Sequence, residues 1–172
     1  MRFTSLLAAT TAIAFGATFA PAQQAERAHA ELRNTQGVVV GQATLQQTAR
    51  GVLIDLMLSG VPEGEHALHV HDVGKCEAPF SSAGGHWNPT AVPHGLLTPK
   101  GGHLGDMPNI FVPAGGHLHV QVMADGAKLA GLDGMLDADG AALMIHNGPD
   151  DYTSDPAGAA GPRIACGVIV AG

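Results

Sequence analysis

The sequence predicts an all-β sandwich or barrel of about eight strands, with two long loops. Three observations favour this fold class. Short β-type runs broken by turn residues follow one another from Val38 to the end of the chain. Glycine supplies 24 of the 172 residues, about twice its usual share, which favours turns over long helices. After residue 22, no amphipathic pattern with a helical period reaches helical length.

Six runs of this kind form the clearest predicted strands. Turn residues separate them, and the short polar stretch between the first two predicts a β-hairpin. In chain order the runs are GVVVGQATLQ, RGVLIDLMLSG, HALHVHD, HLHVQVMA, AALMIHN and ACGVIVAG. Residues 23–29 lie before these runs, and we expect them to be loose.

Two regions do not fit strands. Residues 72–116 form a long connection rich in Gly and Pro, and residues 147–163 form a shorter one. Connections of this length without structure of their own are usually functional or disordered. The first contains Cys76 and several His residues, so we expect a covalent link and a metal ion to hold it in place.

Residues 1–22 have the pattern of a secretory signal peptide. Arg2 is followed by an apolar run rich in Ala and Thr, which ends at the small-residue cleavage signal Ala20-Pro21-Ala22. The run is too short and too weakly hydrophobic for a comfortable transmembrane span. We therefore expect a periplasmic or secreted protein with no membrane association after cleavage.

The composition limits the number of domains and the kinds of partner. The length and the 45% hydrophobic content suit a single domain, which we place at residues 23–172. The formal charge of −7 becomes −8 without residues 1–22, because Arg2 is their only charge (7 − 15 = −8). This balance and the lack of a basic cluster argue against nucleic acid as a partner. In an oxidising compartment the two cysteines, Cys76 and Cys166, are expected to pair.

The histidine pattern predicts metal binding. His69 and His71 occupy alternate positions of a predicted strand, so their rings share one face. Imidazole suits zinc and copper, and carboxylate oxygen is a further common zinc ligand. With His29 and His66 set aside, the main candidates are His69, His71, His86, His94, His103, Asp106 and His146. These seven side chains would fill the eight positions of two four-coordinate ions if one histidine used both ring nitrogens.

His117 and His119 form a competing group, because they repeat the His-x-His pattern on another predicted strand. No further donors lie close to them in the sequence, so we expect a solvent-facing pair. Whether this pair binds extra metal stays open.

Four separated motifs resemble those of the copper/zinc superoxide dismutase family, in its bacterial exported form. In order and spacing they are HVHDVGKC, SAGGHWNP, HGLLTPKGGHLGDMPN and GPRIACGVI. The resemblance covers about residue 30 to residue 172. It implies an eight-stranded Greek-key β-barrel with long metal-binding and active-site loops. It also implies an enzyme that converts superoxide to oxygen and hydrogen peroxide by copper redox cycling, with zinc in a structural role.

The resemblance implies two ligand sets that share one histidine. The copper ligands would be His69, His71, His86 and His146, and the zinc ligands His86, His94, His103 and Asp106. Arg163 matches the arginine that attracts the superoxide anion beside the copper. The catalytic residues implied are therefore Arg163 and the shared His86, whose bond to copper breaks and reforms during the cycle.

The resemblance also implies two supporting features. Asp150 matches the carboxylate that links a copper histidine to a zinc histidine, with Asp151 and Asp155 as nearby alternatives. Cys76 and Cys166 match the disulfide that ties the long loop to the last strand.

The net charge raises a question about substrate attraction, because a chain near −8 repels an anion as a whole. Attraction must then be local, with Lys75 and Lys100 as candidates to assist Arg163. The alternative function is an exported copper-binding or copper-buffering protein with the same fold and no turnover. Relatives of that kind typically lose a copper histidine or the arginine, and both are present here. A structural or adhesive β-sandwich is a third possibility, and a homodimer is left open.

Overall fold

Residues 26–172 form ten strands and almost no helix. The structure, a computed structural model, describes residues 26–172, so the predicted signal peptide at residues 1–22 lies outside the described residues. The strands are β1 Arg27–Asn34, β2 Val39–Gln47, β3 Gly51–Ser59, β4 Gly64–His66, β5 Leu68–His71, β6 Ile110–Val112, β7 His117–Asp125, β8 Ala142–His146, β9 Arg163–Val168 and β10 Val170–Ala171. Between residues 26 and 172 the only helix is the short 3₁₀ turn Ser81–Ala83, and none there is suited to crossing a membrane. The all-β prediction is confirmed.

Eight of the strands form one antiparallel sheet that curls on itself. The order is β5-β8-β9-β1-β2-β3-β7, with β10 beside β1, and β4 and β6 form a separate two-stranded ribbon. The predicted hairpin joins β2 to β3, in a register that pairs Gly41 with Leu58. β8 is the neighbour of β5, and β9 is the neighbour of β1, although both pairs are far apart along the chain. Long connections must therefore join strands that are not adjacent in the sheet, as in a Greek-key barrel.

The barrel interior is filled by the apolar residues that alternate along the strands. In β8 every residue is buried, because Leu143 and Ile145 face the core while the long loops cover the opposite side. A second apolar cluster lies on that opposite side, outside the barrel wall. We call it the outer cluster, and it consists of Cys76, Phe80, Ala83, Ala142, Met144 and Cys166.

Two expectations from the sequence are wrong in detail. Residues 27–29, expected to be loose, belong to β1, where Arg27 pairs with Gln46 of β2. The inward residues at this end of β1 are the small Ala28 and Ala30, which give a weak alternation signal. The connection placed at residues 72–116 also contains β6, which pairs with β4 before β7 begins.

Candidate metal centre

β5 brings the first two predicted ligands to the outer face of the barrel. It pairs with β8 so that His69 lies opposite Met144. Because Leu68 and Val70 pack in the main core, His69 and His71 must point to the other side of the strand. That side faces the long loop.

A four-histidine cluster forms on this face. The long loop approaches β5 through a bridge between His71 and His86, and β8 contributes His146 at its end. Each of His69, His71, His86 and His146 offers one ring nitrogen, and the four atoms lie within 4.8 Å of one another. All four residues are at least nine-tenths buried.

Hydrogen bonds to backbone carbonyls orient two of these rings. His71 Nδ1 lies 3.1 Å from Gly84 O, and His146 Nδ1 lies 3.1 Å from Gly161 O. A carbonyl oxygen can only accept, so both Nδ1 atoms carry hydrogen and Nε2 is the lone-pair atom of each ring. The two Nε2 atoms face each other at 3.4 Å. The fold therefore directs two lone pairs at one point, as metal ligands require.

A second cluster surrounds Asp106. Its Oδ1 lies 2.8 Å from His86 Nδ1 and 3.3 Å from His103 Nδ1, and its Oδ2 lies 2.9 Å from His94 Nδ1. The backbone N–H groups of Gly95 and His103 donate to Oδ2 at 3.1 and 2.9 Å. One ligand atom from each of the three histidines and from Asp106 lies within 4.8 Å of the others. His86 is thus a member of both clusters.

Buried nitrogens without partners test whether these residues fit metal ions. His69 Nδ1, His86 Nε2, His94 Nδ1 and His103 Nδ1 are buried and make no hydrogen bond. The nitrogens of His94 and His103 approach the Asp106 carboxylate closely, but not with hydrogen-bond alignment. Leaving such atoms unpaired is costly. A cation in each cluster would satisfy them, so the residues present fit copper and zinc.

Asp150 joins the two clusters. Its Oδ2 accepts from His69 Nε2 at 2.7 Å, and its Oδ1 accepts from His94 Nε2 at 3.0 Å. Asn109 holds it through two hydrogen bonds to the backbone, and the Tyr152 N–H donates to Oδ1 at 2.6 Å. The carboxylate thereby fixes the tautomers of both rings and leaves Nδ1 of each free for a metal.

The two alternative carboxylates make different contacts. Asp151 accepts from the backbone N–H groups of Thr153 and Ser154 in its own turn. Hydrogen bonds from the Ser154 hydroxyl and from these N–H groups lower the pKa of Asp151 to about 2. Asp155 accepts from the backbone N–H of His94 at 2.8 Å. Of the three, Asp150 alone contacts a histidine side chain of each cluster.

Arg163 lies at the start of β9, opposite His146 of β8. Its Nη1 donates to Phe80 O and its Nη2 to Gly84 O, both at 2.6 Å. Burial lowers the pKa of Arg163 from its ordinary value, but a guanidinium stays charged at any working pH. A fixed positive charge therefore lies beside the four-histidine cluster.

The predicted Cys76–Cys166 disulfide is present and links the long loop to β9. Both sulfurs belong to the outer cluster, together with Phe80, whose carbonyl anchors Arg163. The disulfide therefore stabilises the loop segment that holds the arginine.

The electrostatic environment keeps the ligands in the states that metals bind. Burial lowers the pKa of His71 to about 2 and that of His146 to about 4. Burial alone would raise the pKa of Asp106, but hydrogen bonds from His86 and from two backbone N–H groups outweigh it and hold the pKa below its usual range. The His71 and His146 imidazoles are therefore neutral and the Asp106 carboxylate is ionised at neutral pH, as metal ligation requires.

Some positioning groups had no signal in the sequence. His66, which is not among the predicted metal ligands, is buried. Its Nδ1 lies 2.8 Å from His146 O and its Nε2 lies 2.9 Å from Pro62 O. Asn109, which holds Asp150, lies at the end of the third motif and could have been found only through that resemblance. The carbonyls that orient the rings belong to the backbone, which every residue type has.

The two lysines that were candidates to help attract the substrate lie outside the four-histidine cluster. Lys75 pairs with Glu77 at 3.0 Å on the surface, so part of its charge is neutralised. Lys100 lines a cleft beside His103 on the Asp106 side. Neither makes a contact with the four-histidine cluster among the interactions of the described residues.

A β-barrel with two adjoining clusters that share one imidazole defines a protein built to bind two metal ions. The family model for copper/zinc superoxide dismutase matches residues 39–169. Superoxide dismutase [Cu-Zn] 2 of Aquifex aeolicus is 52% identical over 147 residues, which cover 83% of this chain and 86% of that relative.

Solved structures agree with this match. A superoxide dismutase-like protein from Bacillus subtilis gives a TM-score of 0.79 at 35% identity, over 83% of this chain and 97% of the other. The copper/zinc superoxide dismutase of Brucella abortus gives 0.69 at 28% identity, over 84% and 100%. The chain belongs to the copper/zinc superoxide dismutase family, and the resemblance seen in the sequence is confirmed.

Proposed function

We propose that this chain is an exported superoxide dismutase that binds one copper and one zinc ion. The observation that carries the proposal is a complete four-histidine cluster with the charged Arg163 anchored beside it. The family match and the names of the relatives support this function over copper buffering.

In this proposal each cluster holds one ion. The copper ligands are His69, His71, His86 and His146, and the zinc ligands are His86, His94, His103 and Asp106. Bound copper would exchange one electron with each of two superoxide ions, whereas zinc would supply only charge and rigidity. Asp150 orients a ligand of each ion through its two oxygens.

The side chains near copper bind the anion and carry a proton. Two N–H groups of Arg163 are held by carbonyls, which leaves others of its five donors to hydrogen-bond superoxide. His86 has Nδ1 on the Asp106 side and its unpartnered Nε2 on the other. His86 Nε2 is the atom at which a proton can be held for the reduced product. Arg163 and His86 are therefore the proposed catalytic residues.

Substrate attraction is proposed to be local. The chain carries a net negative charge, and Lys75 is paired with a glutamate, so the positive field near copper comes mainly from Arg163. Electrostatic steering from a distance should accordingly be weak.

Export is the proposed location. Bacterial relatives and the disulfide support an exported enzyme. We propose that residues 1–22 are removed as a signal peptide and that residues 23–172 act as one domain in the periplasm or outside the cell. No membrane or nucleic-acid partner is proposed, and a homodimer stays a hypothesis.

The test of the function combines metal analysis with a dismutation assay on the same purified protein. We expect about two metal ions per chain and rapid dismutation. Arg163→Ala should keep both ions, because arginine donates to neither. One lost charge-assisted contact of roughly 1.5–3 kcal/mol corresponds to about a 10- to 150-fold slower reaction. Arg163→Lys should lose less.

Arg50→Ala is the matched control. Arg50 is exposed and pairs with Asp125, so its loss changes the net charge equally but leaves the metal centre intact. A fully metallated wild type without dismutation would favour the copper buffer. Equal rates for Arg163→Ala and Arg50→Ala would contradict the role of Arg163.

A further inference from the structure

A second group of possible metal donors lies on the outer surface of β3 and β7, and none of its residues belongs to the metal centre. His117 and His119 are exposed on β7, which is an end strand of the sheet order. The register with β3 places Met57 opposite His119 and Asp55 opposite Gln121. Paired residues of antiparallel strands share a face. The donors that the local sequence lacked are therefore supplied by β3.

Asp55 orients the ring of His119. His119 Nε2 lies 2.9 Å from Asp55 Oδ1, and Gln121 donates to Oδ2 at 2.7 Å. These hydrogen bonds, from Gln121 and then from His119, lower the pKa of Asp55. The ionised carboxylate accepts, so Nε2 carries hydrogen and Nδ1 is left as the lone-pair atom. Asp150 prepares His69 in the same way within the metal centre, and carboxylates commonly orient ligating histidines.

Met57 places a soft sulfur donor beside this ring. It is 49% exposed, which leaves its flexible side chain free to turn. The Cβ atoms of a directly opposed pair are about 4.5–5.5 Å apart, and His117 lies about 7 Å from His119 along the strand. Rotation of these exposed side chains would bring a donor atom of each to one ion near His119 Nδ1. Two imidazoles with a thioether suit copper, and Cu(I) in particular.

We propose that His117, His119 and Met57 form an auxiliary copper-binding site, with Asp55 as the residue that positions His119. The site shares no residue with the metal centre. It is exposed and offers three donors instead of four. It therefore binds copper more weakly than the buried cluster, and its presence does not depend on the dismutase function.

The experiment is a Cu(I) titration of the copper- and zinc-loaded protein without oxygen, against a coloured Cu(I) chelator. We expect one additional Cu(I) per chain, and dismutation unchanged in every variant. His119→Ala should abolish the additional binding, and Asp55→Asn should weaken it. Met57→Leu, which keeps size and apolar character, should weaken Cu(I) binding at least tenfold. In a parallel titration with Cu(II), it should weaken Cu(II) binding much less. His117→Ala should weaken the binding of both Cu(I) and Cu(II).

His29→Ala is the matched control, because His29 is an exposed strand histidine whose partners on β2 and β10 are Thr44 and Val170. It should retain the additional copper. Wild-type protein that takes up no Cu(I) beyond its two ions would overturn the proposal. Equal uptake by His119→Ala and wild type, or equal losses in His29→Ala and His119→Ala, would overturn it as well.

Discussion

Met144 lies between His69, a proposed copper ligand, and the disulfide. Its truncation should weaken copper binding by more than a general loss of stability explains. The register places His69, Met144 and Cys166 directly opposite one another on the adjacent strands β5, β8 and β9. All three are almost completely buried. Directly opposed Cβ atoms lie about 4.5–5.5 Å apart, so the methionine side chain fills the space between the imidazole and the disulfide.

Met144→Ala should have two separable effects. Loss of a fully buried methionine should lower the free energy of unfolding by about 2–5 kcal/mol. The cavity would also let the ring of His69 move, and loss of a group that orients a ligand typically costs about 10- to 100-fold in metal affinity. Met144→Leu conserves volume and should therefore retain most of the stability and most of the copper affinity.

The assay measures denaturant unfolding of the metal-free protein and copper affinity by chelator competition. Met135→Ala is the matched control, since Met135 is equally buried but packs in the main core. It should lose similar stability while its copper affinity stays near that of the wild type. If both variants lost copper affinity by the same factor, binding would follow global stability and the proposed contact would be refuted.

The remaining predictions concern the disulfide, the two ligand sets, a loop glycine and salt. Cys76→Ser should lower the free energy of unfolding by about 4–5 kcal/mol in the chain-entropy model, because the bond spans 90 residues; urea unfolding would measure this, and no change would contradict it. By metal analysis, His103→Ala should lose mainly zinc, and His71→Ala mainly copper together with activity; equal losses would contradict the two-set assignment. Gly158→Ala should weaken both metals, because a Cβ there overlaps the carboxylate that joins the clusters, at a φ of 63°. Gly37→Ala is its control, because Gly37 also has a positive φ, with open space at its Cβ, but lies in the turn between β1 and β2; it should keep both metals. The wild-type rate should fall as ionic strength rises, since salt screens attraction of an anion; a flat profile would exclude attraction by charge.

The fold was predictable where hydrophobic alternation was strong. The run that forms β3 alternates large buried residues with more exposed ones, such as Ile54 and Leu56 around Asp55. The same signal is faint in β1, whose inward Ala28 and Ala30 are small. β1 is fixed by its neighbours β2, β9 and β10, and such long-range pairing cannot be read from a local pattern.

The candidate ligands were predictable because metals restrict the residue types that can bind them. The groups that orient these ligands were less so. The family resemblance favoured Asp150 as the carboxylate that joins the clusters, but residue type alone could not separate it from Asp151, because the two differ by a single position. The donors around His119 come from β3 and were likewise invisible in the local sequence.

One backbone carbonyl connects substrate attraction with copper binding. Gly84 O accepts from Nη2 of Arg163 and from Nδ1 of His71, at 2.6 and 3.1 Å. Gly84 has a φ of 72°, which favours glycine, and it follows the turn that packs in the outer cluster beside the disulfide. A shift of this turn would therefore move Arg163 and His71, a proposed copper ligand, together. Loosening of the disulfide should then lower the rate and the copper affinity in parallel, whereas loss of Arg163 alone should lower only the rate.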